Sequence, residues 1–164
     1  MTRRDNTITY PLQARSTLSR EQETTIKEAI GLLENKLRRS AALTNSDMVK
    51  QYCMLQIAHL LDEHFGCMFL DNQHRLIHYE TLFNGTIDGA AIYPRVVVRA
   101  ALLLNAAAVI FTHNHPSGLP EPSQADIDIT RRLKSALGTI DIRVLDHLVV
   151  GSEGTVSFAE RGLL

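Results

Sequence analysis

The sequence has little of what marks a secreted, membrane-bound or disulfide-stapled protein. Its two cysteines, Cys53 and Cys67, are too few for a disulfide framework. Both lie among apolar neighbours, so we expect buried free thiols in a reducing compartment. The N-terminus lacks the apolar core of a signal peptide. The longest apolar stretch, 96–111, contains Arg99 and Asn105 and is too short to span a bilayer. These absences predict a soluble, cytoplasmic protein without a membrane partner.

An excess of charge of one sign is also missing, and aromatic residues are scarce. The 164 residues carry 17 Lys+Arg against 18 Asp+Glu, a net charge of −1, and only 5% are aromatic, with no tryptophan. A nucleic-acid-binding domain usually carries a clear excess of positive charge, so the bulk composition argues against one. The 45% of apolar residues is ordinary for a globular protein. A chain of this length predicts one domain with a short appendage.

Hydrophobic periodicity divides the chain into helices and strands. Residues 1–16 have no period and are predicted to form a loose tail. A helix is predicted from Thr17 to Arg39, with Ser19 as its N-cap and Gln22 completing a capping box. The further predicted elements are a helix opened by 45–47, strands 67–70 and 75–83, a helix 93–104, a strand 106–112, a helix 123–137, and strands 142–150 and 155–158.

This order of elements predicts a three-layer α/β domain with a mixed sheet. The domain is expected to cover residues 42–164, preceded by a flexible tail and an N-terminal helix at 1–41. The helix at 93–104 is apolar nearly all round, so we expect it to be buried.

The chemically informative stretch follows the predicted central strand. His113 and His115 are two residues apart at its end, and side chains with that spacing point to the same face of a strand. The loop after them contains three prolines and a glycine, and we expect its stiff return path to bring Asp126 back beside the histidines. Two histidines and one aspartate make an open zinc site, whose fourth position is left for water.

Each part of this pattern also has an ordinary explanation. A His-x-His pair arises by accident, and Ser123-x-x-Asp126 is a helix-capping pattern. A buried strand, however, should not end in two imidazoles without a partner. Ser123 can cap the helix and position Asp126 at the same time. The sequence contains neither Pro-Cys-x-x-Cys nor His-Glu-x-x-His, which excludes a zinc deaminase and a peptidase with the latter motif. The contiguous His-Asn-His is not the dispersed motif of HNH nucleases.

Taken together, His113-x-His115-Pro116 and, after six residues, Ser123-x-x-Asp126 resemble the JAMM motif of MPN-domain metallohydrolases. Over about residues 42–164 the chain also resembles the RadC branch of that superfamily. The segments that carry this likeness are 83–86, 93–95, 113–118, 146–147 and 157–164. The resemblance implies a cytidine-deaminase-like α/β fold, one zinc ion per chain on His113, His115 and Asp126, and zinc-hydrolase chemistry.

The resemblance also implies two catalytic side chains. JAMM enzymes use a glutamate at the start of an early strand to take a proton from zinc-bound water. Glu63 occupies that place, and Glu80, on the next strand, is the alternative. Ser123 matches the motif serine, whose hydroxyl would stabilise the oxyanion of a tetrahedral intermediate. His147 is expected to be a packed structural histidine, with orientation of the metal site as the alternative.

Three functions remain open at this point. The better-studied JAMM enzymes hydrolyse peptide or isopeptide bonds, which implies a metallopeptidase acting on an unknown peptide or protein. The RadC branch is linked by name to DNA repair, so the alternative is a nucleic-acid-acting module in repair or recombination. That module would use a local basic patch of Arg95, Arg99, Arg131, Arg132 and Arg143. The third is a zinc-stabilised interaction domain without turnover.

Overall fold

Four helices and five strands make up the part of the chain that the structure, a computed structural model, describes: residues 16–40, 46–85 and 91–164. In chain order they are α1 (Arg20–Leu37), α2 (Ser46–Ile57), β1 (His64–Leu70), β2 (Leu76–Asn84), α3 (Pro94–Leu103), β3 (Ala108–Asn114), α4 (Gln124–Gly138), β4 (Arg143–Gly151) and β5 (Gly154–Ser157). Nearly all of the predicted tail and the predicted domain boundary at 41–42 lie outside the described residues. None of the described helices is long and apolar enough to cross a bilayer.

The five strands form one mixed sheet in the order β2-β1-β3-β4-β5. β1 pairs antiparallel with both β2 and β3, and β4 pairs antiparallel with β5. The central strands β3 and β4 are parallel, and α4 forms the crossover connection that such a pair requires. The predicted mixed sheet is therefore confirmed.

Helices cover both faces of this sheet. Met68 and Leu70 of β1 belong to a buried cluster with residues of α1 and α2, whereas Cys67 and Phe69 belong to a second cluster with α3 and α4. This alternation is the two-residue period of a strand that is buried on both faces. Cys53 and Cys67 are buried free thiols, as predicted, and burial raises the pKa of Cys53 to about 12. The predicted three-layer α/β fold is confirmed.

The N-terminal helix packs into the same layer as α2. Its N-cap Ser19 and Gln22 form the predicted capping box, with N–H donors 3.3 and 2.8 Å from the side-chain oxygens. The Tyr52 hydroxyl of α2 donates to a carboxylate oxygen of Glu34 at 2.7 Å. At the other end of α1, Leu37 is buried in the cluster that α2 shares with the sheet. α1 thus contributes to the core that supports β1 and β3.

The prediction that the helix at 93–104 is buried is wrong. Of the residues in α3, only Val97 and Ala101 are buried, while Leu102 and Leu103 are 57% and 80% exposed. A helix in an outer layer has one side against the sheet and the other toward solvent. Its sequence is more apolar than its position requires.

Two strands near the candidate site extend past one of their predicted ends. β1 begins at His64, three residues before the predicted start, so that Glu63 directly precedes it. β3 continues to Asn114, two residues beyond the predicted end, and includes His113. The apolar pattern ends where polar side chains begin, but the backbone pairing continues: His113 pairs with Phe65 of β1, and Asn114 pairs with Val150 of β4.

Candidate metal centre

The two histidines of the motif come together at the end of β3. His113 is the last residue but one of the strand and is 3% exposed. His115 follows the strand, but its N–H still donates to the carbonyl of Val150 in β4 at 2.8 Å, which keeps it in register. The Nε2 atoms of the two histidines lie 2.9 Å apart. The two-residue spacing therefore brings both imidazoles to one point.

Asp126 returns to the histidines from the first turn of α4. Its Oδ1 lies 3.2 Å from His113 Nε2, and its Oδ2 lies 3.6 Å from His115 Nε2. Burial alone would raise the pKa of Asp126, but the interactions with both histidines outweigh it and hold that pKa far below its usual range. The contact with Asp126 in turn raises the pKa of His115, against the opposing effect of burial. The three side chains form one electrostatic unit.

A backbone carbonyl orients His115. Its Nδ1 lies 2.9 Å from the carbonyl oxygen of Leu119 in the loop. A carbonyl can only accept, so Nδ1 carries the proton of this hydrogen bond. In the neutral imidazole, the lone pair of Nε2 is then directed toward His113 and Asp126.

Ser123 is bonded to Asp126 and caps α4. The Asp126 N–H donates to Ser123 Oγ at 3.2 Å, while the N–H and hydroxyl of Ser123 donate to Asp126 Oδ2 at 2.7 and 2.6 Å. The capping box is therefore confirmed. A serine hydroxyl has a single hydrogen, so donation to an oxyanion would require it to leave Asp126. The oxyanion role of Ser123 stays a prediction.

The structure places the two candidate glutamates in different clefts. A carboxylate oxygen of Glu63 lies within 4.8 Å of ring nitrogens of His113 and His115. Glu80 is on β2 and lines a separate cleft beside α3. Asp126 is the carboxylate in closer contact with the imidazoles, which leaves Glu63 nearby without such a contact. Its role as general base stays a prediction.

Asn114, between the two histidines in sequence, anchors the segment that carries Glu63. Its side-chain oxygen accepts from the N–H of His64 at 2.8 Å, and its side-chain nitrogen donates to the carbonyls of Asp62 and Leu60 at 3.0 and 3.3 Å. These bonds lie on both sides of Glu63 in the chain. This role of Asn114 was not predicted from the sequence. The available signal was its place between two strand residues that share a face, because its own side chain then points to the opposite face.

A second histidine lies behind His113. His147 of β4 is fully buried, and its Nε2 is 2.8 Å from His113 Nδ1. Three phenylalanine rings surround it at centroid distances between 4.7 and 5.8 Å: those of Phe65, Phe111 and Phe158. Burial lowers the pKa of His147 well below its ordinary value, which favours the neutral imidazole. The packed histidine expected from the sequence is present, and it also contacts the candidate centre.

Thr130 is a further residue that the sequence did not indicate. Its hydroxyl oxygen lies 2.6 Å from His147 Nδ1 and 2.6 Å from the backbone carbonyl of Asp126. A helical threonine often bonds to the carbonyl four residues earlier, so the spacing from Asp126 by itself is no functional signal. Only the tertiary contact with His147 connects Thr130 to the centre.

The candidate centre lies in an open cleft of about 520 Å³. Apolar side chains, among them Phe65, Ile92 and Ile129, line it together with Tyr93 and Arg132. Clefts of this size accommodate a small molecule or a short stretch of peptide. The arrangement thus combines converging metal-ligand atoms, a nearby carboxylate and room for a substrate.

Comparison with known proteins identifies the family. Residues 43–163 match the family described as RadC-like JAB domain. Relatives called UPF0758 protein include one from Cellvibrio japonicus, 65% identical over 122 residues that cover 74% of this chain and 54% of the relative. One from Chromohalobacter salexigens is 58% identical over 132 residues, which cover 80% of this chain and 59% of the relative. One from Vibrio cholerae is 54% identical over 139 residues, which cover 85% of this chain and 87% of the relative.

The matched part of the chain spans little more than half the length of the first two relatives. The name that these relatives share states no activity. The family match covers most of the residues and includes every candidate site residue. This chain therefore belongs to the RadC-like JAB domain family.

Proposed function

We propose that this chain is a zinc-dependent hydrolase that cleaves a peptide or isopeptide bond. The observation that carries the proposal is the convergence of His113, His115 and Asp126 at a cleft that also contains Glu63. Membership of a JAB domain family supports it, because the motif resembles that of JAMM metallohydrolases. A cytoplasmic location belongs to the same proposal.

The donor set suits zinc, which prefers imidazole nitrogen and carboxylate oxygen at about 2.0–2.2 Å. Tetrahedral geometry with such bonds separates neighbouring ligand atoms by about 3.3 Å. The two ring nitrogens lie 2.9 Å apart, and each lies near a different oxygen of Asp126, His113 at 3.2 Å from Oδ1 and His115 at 3.6 Å from Oδ2, so each of these separations is close to that value. These three residues would hold the ion, which when bound would polarise a carbonyl and activate water.

The remaining residues have separate tasks in this proposal. Glu63 accepts a proton from the attacking water and returns it to the leaving amine, as a general base that then acts as a general acid. Ser123 orients Asp126 through its two hydrogen bonds, and its hydroxyl is the candidate donor to the oxyanion.

The position of Arg132 in the cleft suits an extended polypeptide as the substrate. Arg132 lies six residues after Asp126 on α4, a rise of about 9 Å along the helix, and lines the same cleft. An extended peptide covers that distance in about three residues. The cation therefore favours an acidic side chain about three residues from the cleaved bond.

The nucleic-acid alternative receives less support from the basic residues it would use. In the predicted patch, Arg131 pairs with Asp128 at 3.8 Å, and the guanidinium of Arg95 lies 5.4 Å from the ring centre of Tyr93. Both cations thus already have local partners. We place peptide hydrolysis before a repair-associated activity on nucleic acid.

Metal analysis and a peptide-library cleavage assay test the proposal, with the wild type, Glu63→Gln and Glu80→Gln compared. We expect one zinc per chain in all three and a loss of cleavage of about 10²–10⁴-fold in Glu63→Gln alone. An inactive Glu80→Gln together with an active Glu63→Gln would identify Glu80, and not Glu63, as the general base. A zinc-loaded wild type that cleaves nothing would contradict the peptidase proposal and favour a zinc-stabilised interaction domain.

A further inference from the structure

A continuous chain of hydrogen bonds runs behind the candidate centre. It leads from His113 Nδ1 to His147 Nε2 over 2.8 Å, and from His147 Nδ1 to Thr130 Oγ over 2.6 Å. The Thr130 hydroxyl then reaches the backbone carbonyl of Asp126 over 2.6 Å. His113, His147 and Thr130 are each at most 3% exposed, so water does not compete for these bonds. The chain starts at one candidate ligand and ends on the backbone of another.

The last group of this chain sets the direction of every bond in it. A backbone carbonyl can only accept, so the one hydroxyl hydrogen of Thr130 points to Asp126. The Thr130 oxygen is then left to accept a proton from His147 Nδ1. Because a neutral imidazole carries one N–H, His147 Nε2 has a lone pair and accepts from His113 Nδ1. His113 thereby keeps its Nε2 lone pair free of a proton.

The opposite order is unfavourable at the Thr130 end of the hydrogen-bond chain, and at the other end it places a proton where a metal ion would bind. If Thr130 donated to His147, its oxygen would face the Asp126 carbonyl oxygen at 2.6 Å with no hydrogen between them. His113 would then carry its proton on Nε2. That proton would occupy the space between His115 Nε2 and Asp126 Oδ1, at 2.9 and 3.2 Å, where the candidate ligand atoms converge.

We propose that Thr130 and His147 are positioning residues that hold His113 in the tautomer protonated on Nδ1. Its Nε2 is thus kept ready to bind a metal ion, as the Leu119 carbonyl does for His115. The consequence for metal binding rests on the proposed function, whereas the tautomer of His113 can be measured in the protein without a metal ion. Outer partners of metal-binding histidines act in this way by fixing the ring orientation and the protonated nitrogen.

The first experiment needs no variant. The imidazole nitrogens of His113 are observed by NMR in the full ¹⁵N-labelled chain without metal, at about pH 8, where an ordinary histidine is neutral. We expect a protonated Nδ1 and an unprotonated Nε2. A His113 ring protonated on Nε2 would overturn the proposal, because the hydrogen bonds from His113 to Asp126 would then be donated in the opposite direction.

The second experiment separates the hydroxyl of Thr130 from its packing. Thr130→Val removes the hydroxyl at nearly the same volume, and Thr130→Ser keeps it as the matched control. We expect Thr130→Val to bind zinc about 10–100-fold more weakly and to show a mixture of His113 tautomers. Thr130→Ser should stay close to the wild type in both measurements.

Zinc binding by Thr130→Val that equals that of Thr130→Ser, with an unchanged tautomer, would overturn the proposal. A purely structural role would lower the melting temperature of Thr130→Val without changing the tautomer. If Thr130→Val does not fold, the tautomer of the wild type decides. If the wild type binds no zinc, the proposed hydrolase fails, and the tautomer still decides whether Thr130 and His147 orient His113.

Discussion

The two histidines of the centre are held by different parts of the molecule. His113 lies within a buried strand, and the side chains of His147 and Thr130 support it from two further elements. His115 lies just outside the strand, half-buried, and a loop carbonyl at Leu119 supports it. Packing across the core holds the ring of His113, whereas the orientation of the His115 ring depends on the conformation of the loop. The same imidazole orientation thus depends on the core at one ligand and on local backbone at the other.

The loop at His115 is fastened by close backbone contacts. Gly118 has a φ of 94°, a conformation that favours glycine, and its N–H donates to the carbonyl of His115 at 2.9 Å. Its own carbonyl accepts from the N–H of Glu153 at 3.2 Å. A Cβ atom placed on Gly151 would clash with the carbonyl oxygen of Gly118. The absence of a side chain at the end of β4 therefore lets the loop approach.

The largest expected effects come from removing either histidine. We expect His113→Ala and His115→Ala to lose the bound zinc, as does Asp126→Ala, because each removes one of three ligands. In metal-free protein, however, His113→Ala should lower the unfolding free energy more, by about 1–3 kcal/mol, since it leaves buried His147 Nε2 without its partner. Metal analysis and denaturant unfolding measure both quantities. Full zinc occupancy in a variant would contradict that ligand, and equal unfolding free energies would remove the contrast between the two histidines.

A smaller effect on zinc binding is expected from Gly151→Ala, which changes the loop and removes no ligand. The added methyl group must displace the Gly118 backbone, and such overpacking typically costs about 1–3 kcal/mol. We expect zinc affinity to fall because the Leu119 carbonyl moves with the loop. Gly31→Ala in α1 is the control, since its Cβ would meet nothing within 4 Å, and it should stabilise the chain slightly. Zinc titration and thermal melting compare them. Unchanged zinc affinity in Gly151→Ala would show that the loop does not hold His115.

Two serine N-caps allow a matched comparison in which the expected effect is smaller again. Ser123→Ala and Ser19→Ala each remove an N-cap, so each should lower the unfolding free energy by about 1 kcal/mol. Only Ser123→Ala should also weaken zinc binding and turnover, because only that hydroxyl contacts Asp126. Denaturant unfolding, zinc titration and peptide cleavage provide the comparison. Turnover in Ser123→Ala equal to that of the wild type at saturating substrate would leave the serine with its capping role alone.

The smallest effect is expected at the ion pair that connects the loop to the C-terminal segment. Arg161 bonds both carboxylate oxygens of Glu121 at 2.7 and 2.8 Å and lowers the pKa of Glu121 below its ordinary value. Such a pair stabilises the folded chain at pH values above the ordinary pKa of glutamate. Its contribution disappears as the pH falls through the lowered pKa of the folded state.

Both side chains of this pair are exposed, so salt screens the interaction. We expect Glu121→Gln to melt slightly below the wild type near neutral pH in low salt. The two melting temperatures should converge in high salt and in acid. A difference that persists in high salt would mean that Glu121 holds the loop by something other than charge.

Features that depend on short stretches of chain were predictable. Both capping boxes rest on residues three apart, and the approach of His113 to His115 rests on residues two apart. The order of elements was enough for the three-layer α/β fold. Strand ends were harder to predict, because the pairing of β3 with β4 extends through His113 and Asn114, where the apolar pattern has already stopped. The exposure of α3 was also missed, because an apolar composition does not reveal how much of a helix a sheet can cover.

The sequence by itself determined the family likeness, the fold class and a candidate ligand set that lies within residues 113–126. Tertiary structure decided what surrounds these ligands. His147 is 34 residues from His113 in sequence and 17 from Thr130, and Asn114 reaches 50 residues back to the segment of Glu63. A hydrogen-bonded histidine tautomer depends on the partner that other elements bring to the ring. No local pattern encodes that partner, so only the packing of β3, β4 and α4 could reveal it.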